Sequence, residues 1–288
     1  MSRTAISLGL FDGVHLGHRA VLDAALRQAE NGLSPMVFTF PAETAAQKGA
    51  GFLYPTDVRN ALFAECGEFA GLHIPDFEDV RGLDGETFAR ELLAEQDGAA
   101  FVACGRDFRF GRGAAWGVDD LVRFGKAYGF TVEIVEDVTA AGGKVSSTRI
   151  RECLQSGEIR LANTLLGAPY RITREITHGA HLGHTIGFAT INQSFAEGQL
   201  VPKFGVYASE TLTPGGWRQS ITNIGVKPTV GYAGGPLAET HILEYSGDLY
   251  GQELTVVLTD YIRGEQKFAS LDALISQMHR DIEMRREL

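Results

Sequence analysis

Gly9-Leu10-Phe11-Asp12-Gly13-Val14-His15-Leu16-Gly17-His18 decides how the first half of this chain is read. It follows a short apolar run (Ala5, Ile6, Leu8) that reads as a strand. It precedes Arg19 to Glu30, where Val21, Leu22, Ala25, Leu26 and Ala29 recur at helical spacing. Two histidines with a glycine between them therefore stand where a strand hands over to a helix, the place where ligands bind in an open α/β sheet. A helix N-terminus offers unpaired N–H groups and partial positive charge to a phosphate. Gly13 and Gly17 let the backbone come close. His15 and His18 can donate hydrogen bonds to charge building on a phosphoryl oxygen. The other reading is a glycine-rich turn with two surface histidines; the strand–turn–helix context favours a nucleotide site.

Outward from that turn, apolar strands alternate with helical patterns. Met36 to Phe40 and Phe101 to Cys104 read as buried strands, and Thr131 to Val135 alternates. Thr56 to Ala64, Glu86 to Leu93 and Asp119 to Tyr128 carry helical spacing. Such alternation predicts an α/β, Rossmann-like parallel sheet. From about Tyr170 turn residues multiply between short β-like runs at Gly187–Ile191, Gly205–Ala208, Ser220–Val226, Glu239–Tyr245 and Leu254–Ile262. That pattern predicts a small antiparallel β-barrel. A C-terminal helix from Leu271 follows, with Ser270 as N-cap and Asp272 in its first turn. A helix from Thr148 is expected to end at Gly157. The domain boundary is placed between Gly157 and Tyr170, giving domains 1–160 and 161–288.

Bulk properties exclude some classes. The chain has 288 residues, 44% hydrophobic and 22% charged, ordinary for a globular protein of one or two domains. A net charge of −10 argues against a nucleic-acid surface. No apolar run approaches the roughly 20 residues of a membrane span. Cys66, Cys104 and Cys153 are odd in number and scattered, which suits free thiols in a reducing compartment. Met1 to Ser7 leave no room for a signal sequence before the glycine-rich turn, and the expectation is a cytoplasmic protein.

The F-D-G-V-H-x-G-H segment resembles the opening motif of nucleotidyltransferases, in the form used by bacterial FAD synthetases. Gly105-Arg106-Asp107-Phe108-Arg109-Phe110-Gly111 resembles that family's G-x-D-F-x-F-G, and Ser146-Ser147-Thr148-Arg149-Ile150-Arg151 resembles its S-S-T-x-x-R. The second half resembles riboflavin kinase in His178 to Asn192, Thr222 to Thr229, Glu239 to Leu243, Ser246 to Gly251 and Ile262 to Phe268. The chain is thereby similar to bifunctional riboflavin kinase/FAD synthetases along nearly its whole length.

The resemblance implies two sites. In the first, His15 and His18 stabilise the α-phosphate of ATP, with Gly9, Phe11, Asp12, Gly13 and Gly17 in the phosphate cradle. Ser147 and Thr148 bind phosphate at a helix start, and Arg151, with Arg149 as a second candidate, reaches the same phosphates. Alone, Ser146–Thr148 would read as simple capping and the two arginines as a solvated helix face. Phe108 and Phe110 alone read as core residues near a strand end; the resemblance makes them flavin contacts, with Asp107. One departure stands out: Thr39-Phe40-Pro41-Ala42-Glu43 lacks the histidine of the family's T-F-x-P-H-P.

In the second site, Gly179, Gly183 and Gly187 form a flap over the ATP phosphates by backbone donation. Thr190 and Asn192, two apart, point to one side of a strand and offer oxygen ligands to Mg²⁺. Two positions depart from the pattern: His184 stands for Arg and Ala189 for Pro. His178, His181 and His184 have no carboxylate or cysteine partner at zinc spacing. The resemblance assigns Glu239 as the base that takes the ribityl hydroxyl proton, and Asn223 and Arg263 as flavin contacts; for Arg263 a structural salt bridge is the equal alternative. The expected substrates and products are riboflavin, FMN, FAD and ATP, with neither nucleic acid nor membrane as partner. Two other readings stand beside this one: a monofunctional riboflavin kinase with a drifted first domain, and a non-catalytic flavin carrier or sensor.

Overall fold

The alternating apolar runs of the first half form a five-stranded parallel sheet in the computed structural model, which describes residues 3–44, 51–177, 189–226 and 235–288. The strands are β1 (Thr4–Leu8), β2 (Ser34–Phe38), β3 (Gly71–His73), β4 (Ala99–Gly105) and β5 (Thr131–Val135), ordered β3-β2-β1-β4-β5. β1 and β4 are buried almost end to end because helices cover both faces of a parallel sheet. Those helices are α1 (Leu16–Leu26), α2 (Thr56–Cys66), α3 (Phe77–Val80), α4 (Gly85–Thr87, continued by a π-helix over Phe88–Gln96) and α5 (Val118–Tyr128). Leu8, Phe38, Phe88, Val102, Leu121 and Phe124 share one core. Chain order reverses beside β1, between β2 and β4, so the β1–α1 turn lies at the crevice where α/β sheets bind ligands. β3 escaped the sequence reading: three residues with half-exposed side chains carry no period.

A two-stranded hairpin, β6 (Thr139–Ala140) and β7 (Gly143–Lys144), precedes α6 (Ser147–Ser156) and α7 (Ile159–Leu166). Gly157 ends α6 in the left-handed region (φ 86°), as expected. The chain divides into two compact units, Met1–Ser147 and Thr148–Leu288, earlier than the 157–170 stretch. The reason is local bonding. Lys203 N–H donates to Leu154 O (2.9 Å), and Asn163 Nδ2 donates to Leu258 O (2.9 Å) while its Oδ1 accepts from Tyr170 N–H (2.8 Å).

The second unit is a six-stranded antiparallel sheet of β8 (Tyr170–Glu175), β9 (Thr190–Ser194), β10 (Gly205–Thr213), β11 (Gly216–Gly225), β12 (Leu237–Ile242) and β13 (Glu253–Arg263). Its order is β8-β13-β10-β11-β12-β9. It curls until its edges approach, where Thr177 N–H donates to Asn192 O (3.0 Å). Inside, Ser209, Thr211, Ser220, Thr222 and Thr240 are fully buried. They satisfy one another: Ser209 bonds Ser220 and Thr222, and Thr222 bonds Thr240 (each 2.8 Å), while Thr211 donates to Ser220 (2.9 Å).

The closing helix α8 (Leu271–Glu287) begins as expected, Ser270 Oγ accepting from Ala273 N–H (3.2 Å). It docks through a polar seam. Its buried residues are Asp281 and Arg285. Arg263 Nε and Nη2 donate to Asp281 at 3.0 and 2.7 Å, and Arg285 Nε donates to Ser209 O at 3.0 Å. Removing one partner of a buried ion pair strands the other charge. Asp281→Ala is therefore expected to cost about 3–5 kcal/mol, read as a fall in the urea midpoint of the full chain. No helix among the described residues is long and apolar enough to cross a membrane. The three cysteines are free, and burial pushes the Cys104 thiol up to about 12.

Candidate active sites

In the first unit the β1–α1 turn is bent by three residues out of four in left-handed backbone: Phe11 (φ 54°), Gly13 (φ 90°) and Val14 (φ 42°). Only glycine adopts this freely, so Phe11 and Val14 each store about 1–3 kcal/mol, and the surroundings must over-determine them. They do. Asp12, 3% exposed, accepts Leu53 N–H at Oδ1 (2.8 Å), and its carbonyl accepts Ser147 Oγ–H (2.8 Å). Thr39 Oγ1 donates to Leu10 O (3.1 Å) and Arg19 Nε to Val14 O (3.1 Å). Asp12 and Ser147 thus each fix the turn.

The bend delivers the histidines. His15 caps α1, its Nδ1 accepting His18 N–H at 3.2 Å. An accepting Nδ1 puts the neutral ring's proton on Nε2, a donor away from the backbone. His18 stacks on His15, centroids 3.5 Å apart and planes 15° apart, with Phe11 edge-on to His18 at 5.5 Å. A Cβ at Gly17 would meet His15 Cε1 at 3.1 Å, so a larger residue there would press on the stacked ring. Gly9 is similarly confined by the Phe11 ring, at 3.1 Å.

The G-x-D-F-x-F-G segment is divided by the fold. Phe110, 5% exposed, packs in the core with Leu8, Phe38 and Phe124, the setting its place near a strand end suggests without the resemblance. Phe108 lies half-buried and stacked on it (5.8 Å, 14°). Asp107 is exposed and takes Lys144 Nζ at 3.3 Å. Thr148 and Arg151 lie in the first turns of α6. The division of the chain falls inside that helix and assigns both to the second unit.

In the second unit, register builds the site. Asn192 on β9 is opposite Glu239 on β12, and Glu239 is opposite Asn223 on β11. Directly opposed residues share a face with Cβ atoms about 4.5–5.5 Å apart. Thr190, opposite His241, lies on that same face. A carboxylate, two amides and a hydroxyl from three strands are thereby brought together, though they are scattered over fifty residues. The row continues through Val206 to Arg263. There Arg263 takes the salt-bridge alternative: its guanidinium is bonded to Asp281. Beside Thr190 is a cavity of about 290 Å³ lined by Ala189, Thr190, Thr240, Ile242, Tyr245 and Tyr250 among others. Gly179, Gly183 and Gly187 lie outside the described residues, as does His184.

Two family models cover the chain in tandem: FAD synthetase over residues 1–149 and riboflavin kinase over residues 166–288. A curated bifunctional riboflavin kinase/FMN adenylyltransferase of Escherichia coli (strain K12) is 37% identical over 282 residues, 96% of this chain and 90% of that protein. The chain belongs to this family. The riboflavin kinase/FMN adenylyltransferase of Pseudomonas fluorescens is 35% identical over 98% of this chain and 92% of its own length. A solved structure described as a macrolide-efflux protein from Streptococcus pneumoniae shares the fold over 100% of this chain and 95% of its own, at 27% identity and a TM-score of 0.85.

Membership in the riboflavin kinase/FMN adenylyltransferase family gives the departures a structural setting. At Ala189 the backbone carbonyl accepts His241 Nδ1–H (2.9 Å), a tether from β12 to the start of β9 that any residue at 189 could make. Where Thr39-Phe40-Pro41-Ala42-Glu43 lacks a histidine, a buried cation that sequence reading missed, Arg59, lies against the Phe40 carbonyl (2.7 Å). Its signal was available. Arg59 falls on the face of α2 that buries Val58, Leu62 and Phe63.

Proposed function

We propose that this chain converts riboflavin to FAD in two steps, at two sites. The observation carrying this is the tandem cover of one chain by two enzyme models, each lying over a unit with its own constellation of phosphate-directed groups. In the first step the ribityl hydroxyl oxygen attacks the γ-phosphorus of ATP, the β–γ bridging bond breaks, and ADP leaves. Glu239 takes the hydroxyl proton, as a carboxylate within hydrogen-bond reach can. Asn223 orients the flavin from the same row. The cavity beside Thr190, with its two tyrosines, suits a planar base.

Thr190 and Asn192 would hold Mg²⁺. A hydroxyl and an amide oxygen on one face fit a hard cation that takes few protein ligands. No cluster of three or more His, Cys, Asp or Glu among the described residues offers a dedicated cage. When bound, the ion neutralises charge on the transferring phosphates.

In the second step a phosphate oxygen of FMN attacks the α-phosphorus of ATP and pyrophosphate leaves. His15 and His18 donate to the oxygens that gain charge, and the start of α1 adds backbone N–H groups. Ser147, Thr148 and Arg151 complete the phosphate contacts, and Phe108 with Asp107 meets the flavin. The net charge of −10 disfavours a nucleic-acid partner, and free thiols, two of them buried, suit the cytoplasm. The test is direct: the chain is supplied with riboflavin, ATP and Mg²⁺, and products are separated by chromatography. FMN and FAD should both accumulate; FMN alone would leave only the kinase, and neither product would leave a flavin carrier.

A further inference from the structure

The ladder between β1 and β2 gives out at Gly9 N–H, which donates to Phe38 O at 3.2 Å. Beyond it the two chains separate, leaving carbonyls of Leu10 and Phe40 without strand partners. Thr39 Oγ1 reaches Leu10 O at 3.1 Å and Phe40 O at 3.5 Å, and one charged group meets both more closely. Arg59 Nη1 donates to Leu10 O at 3.0 Å and to Phe40 O at 2.7 Å. Arg59 is 0% exposed, its Nη2 reaches Asn60 Oδ1 (3.2 Å), and its Nε has no acceptor among the described residues. Keeping a guanidinium there is costly. Burial lowers its pKa to about 10, against the opposing pull of Asp12 and Glu43, so the group stays charged at neutral pH.

We propose that Arg59 is a positioning residue for adenylyl transfer: by tying the ends of β1 and β2 through one nitrogen, it holds the strained Phe11–Val14 bend that aims His15 and His18. Its place explains the function. Leu10 immediately precedes the left-handed Phe11, so losing Arg59 leaves its carbonyl to Thr39 Oγ1 alone (3.1 Å) and loosens the bend at its hinge. A buried cation is an expensive way to satisfy two carbonyls if fold stability alone is at stake, because taking a guanidinium out of water is costly. Here the charge lies under the turn that receives a polyanion.

This inference rests on the proposed FMN adenylylation, and the test separates the two. The full chain, Arg59→Met and Arg59→Lys are assayed for FAD formation from FMN and ATP, and for riboflavin phosphorylation as an internal control. Amide hydrogen exchange is followed across Phe11–His18. In R59M, kcat for FAD formation should fall about 100-fold, the size of effect that small misplacement produces. Its KM for FMN and its FMN output from riboflavin should stay unchanged, and exchange in the turn should quicken. R59K should lie far closer to the unaltered chain in both readouts, because a single ammonium can donate to both carbonyls where Nη1 now does. If the unaltered chain makes no FAD, the functional reading fails. If it does and R59M matches it, this inference alone is overturned. If R59M does not fold, R59K decides: folded but slow, it overturns the proposal; folded and active with a protected turn, it supports it.

Discussion

Glu239→Gln should abolish FMN formation from riboflavin while leaving FAD formation from added FMN intact. The substitution keeps shape and hydrogen-bonding capacity but removes the proton acceptor. General-base catalysis is worth about 100- to 10,000-fold, and the loss should appear in kcat more than in the KM for ATP. The neighbours matter to this argument. Asn192 and Asn223 flank position 239 on its own face of the sheet, so the amide finds partners and the strand pairing survives. Separate measurement of the two products, starting from riboflavin and from FMN, gives the answer. Loss of both activities in a folded protein would contradict separate sites.

His18→Ala is expected to do the reverse. Removing one donor aimed at developing charge costs about 100- to 1,000-fold. The turn should survive, because its tethers run through Asp12, Leu10 and Val14, and His18 contributes its backbone N–H to the His15 cap whichever side chain it carries. FAD formation from FMN should collapse while riboflavin phosphorylation continues. Unchanged FAD output would refute the role given to His18.

The strand–turn–helix around Gly9–His18 was readable because three signals coincide there: an apolar run, glycines and a helical period. The paired histidines could be named but not their stacking, which depends on a left-handed Val14 that no propensity announces. Glu239 is one of 36 acidic residues, and only register sets it between two asparagines. Phe110 carried two readings, a core residue near a strand end and a flavin contact by resemblance, and its position after β4 puts it in the core. Arg263 carried two equal readings because its partner, Asp281, is eighteen residues away on a helix whose docking face is polar. The domain boundary is hard to read because α6 and α7 carry ordinary amphipathic patterns that do not say which sheet they serve. Tyr170–Glu175 also passed unnoticed as a strand, since half its residues face outward and its partner β13 lies some eighty residues downstream.

An oily interface lets a terminal helix slip by a turn and still bury comparable area. A forked guanidinium on a carboxylate does not, since displacement by one residue exchanges two short bonds for a naked ion. The tail of this chain is therefore keyed rather than greased, and the key is cut on the strand whose neighbours lead, rung by rung, to Glu239. Trimming the last helix would thus loosen the far end of the ruler against which that carboxylate is measured.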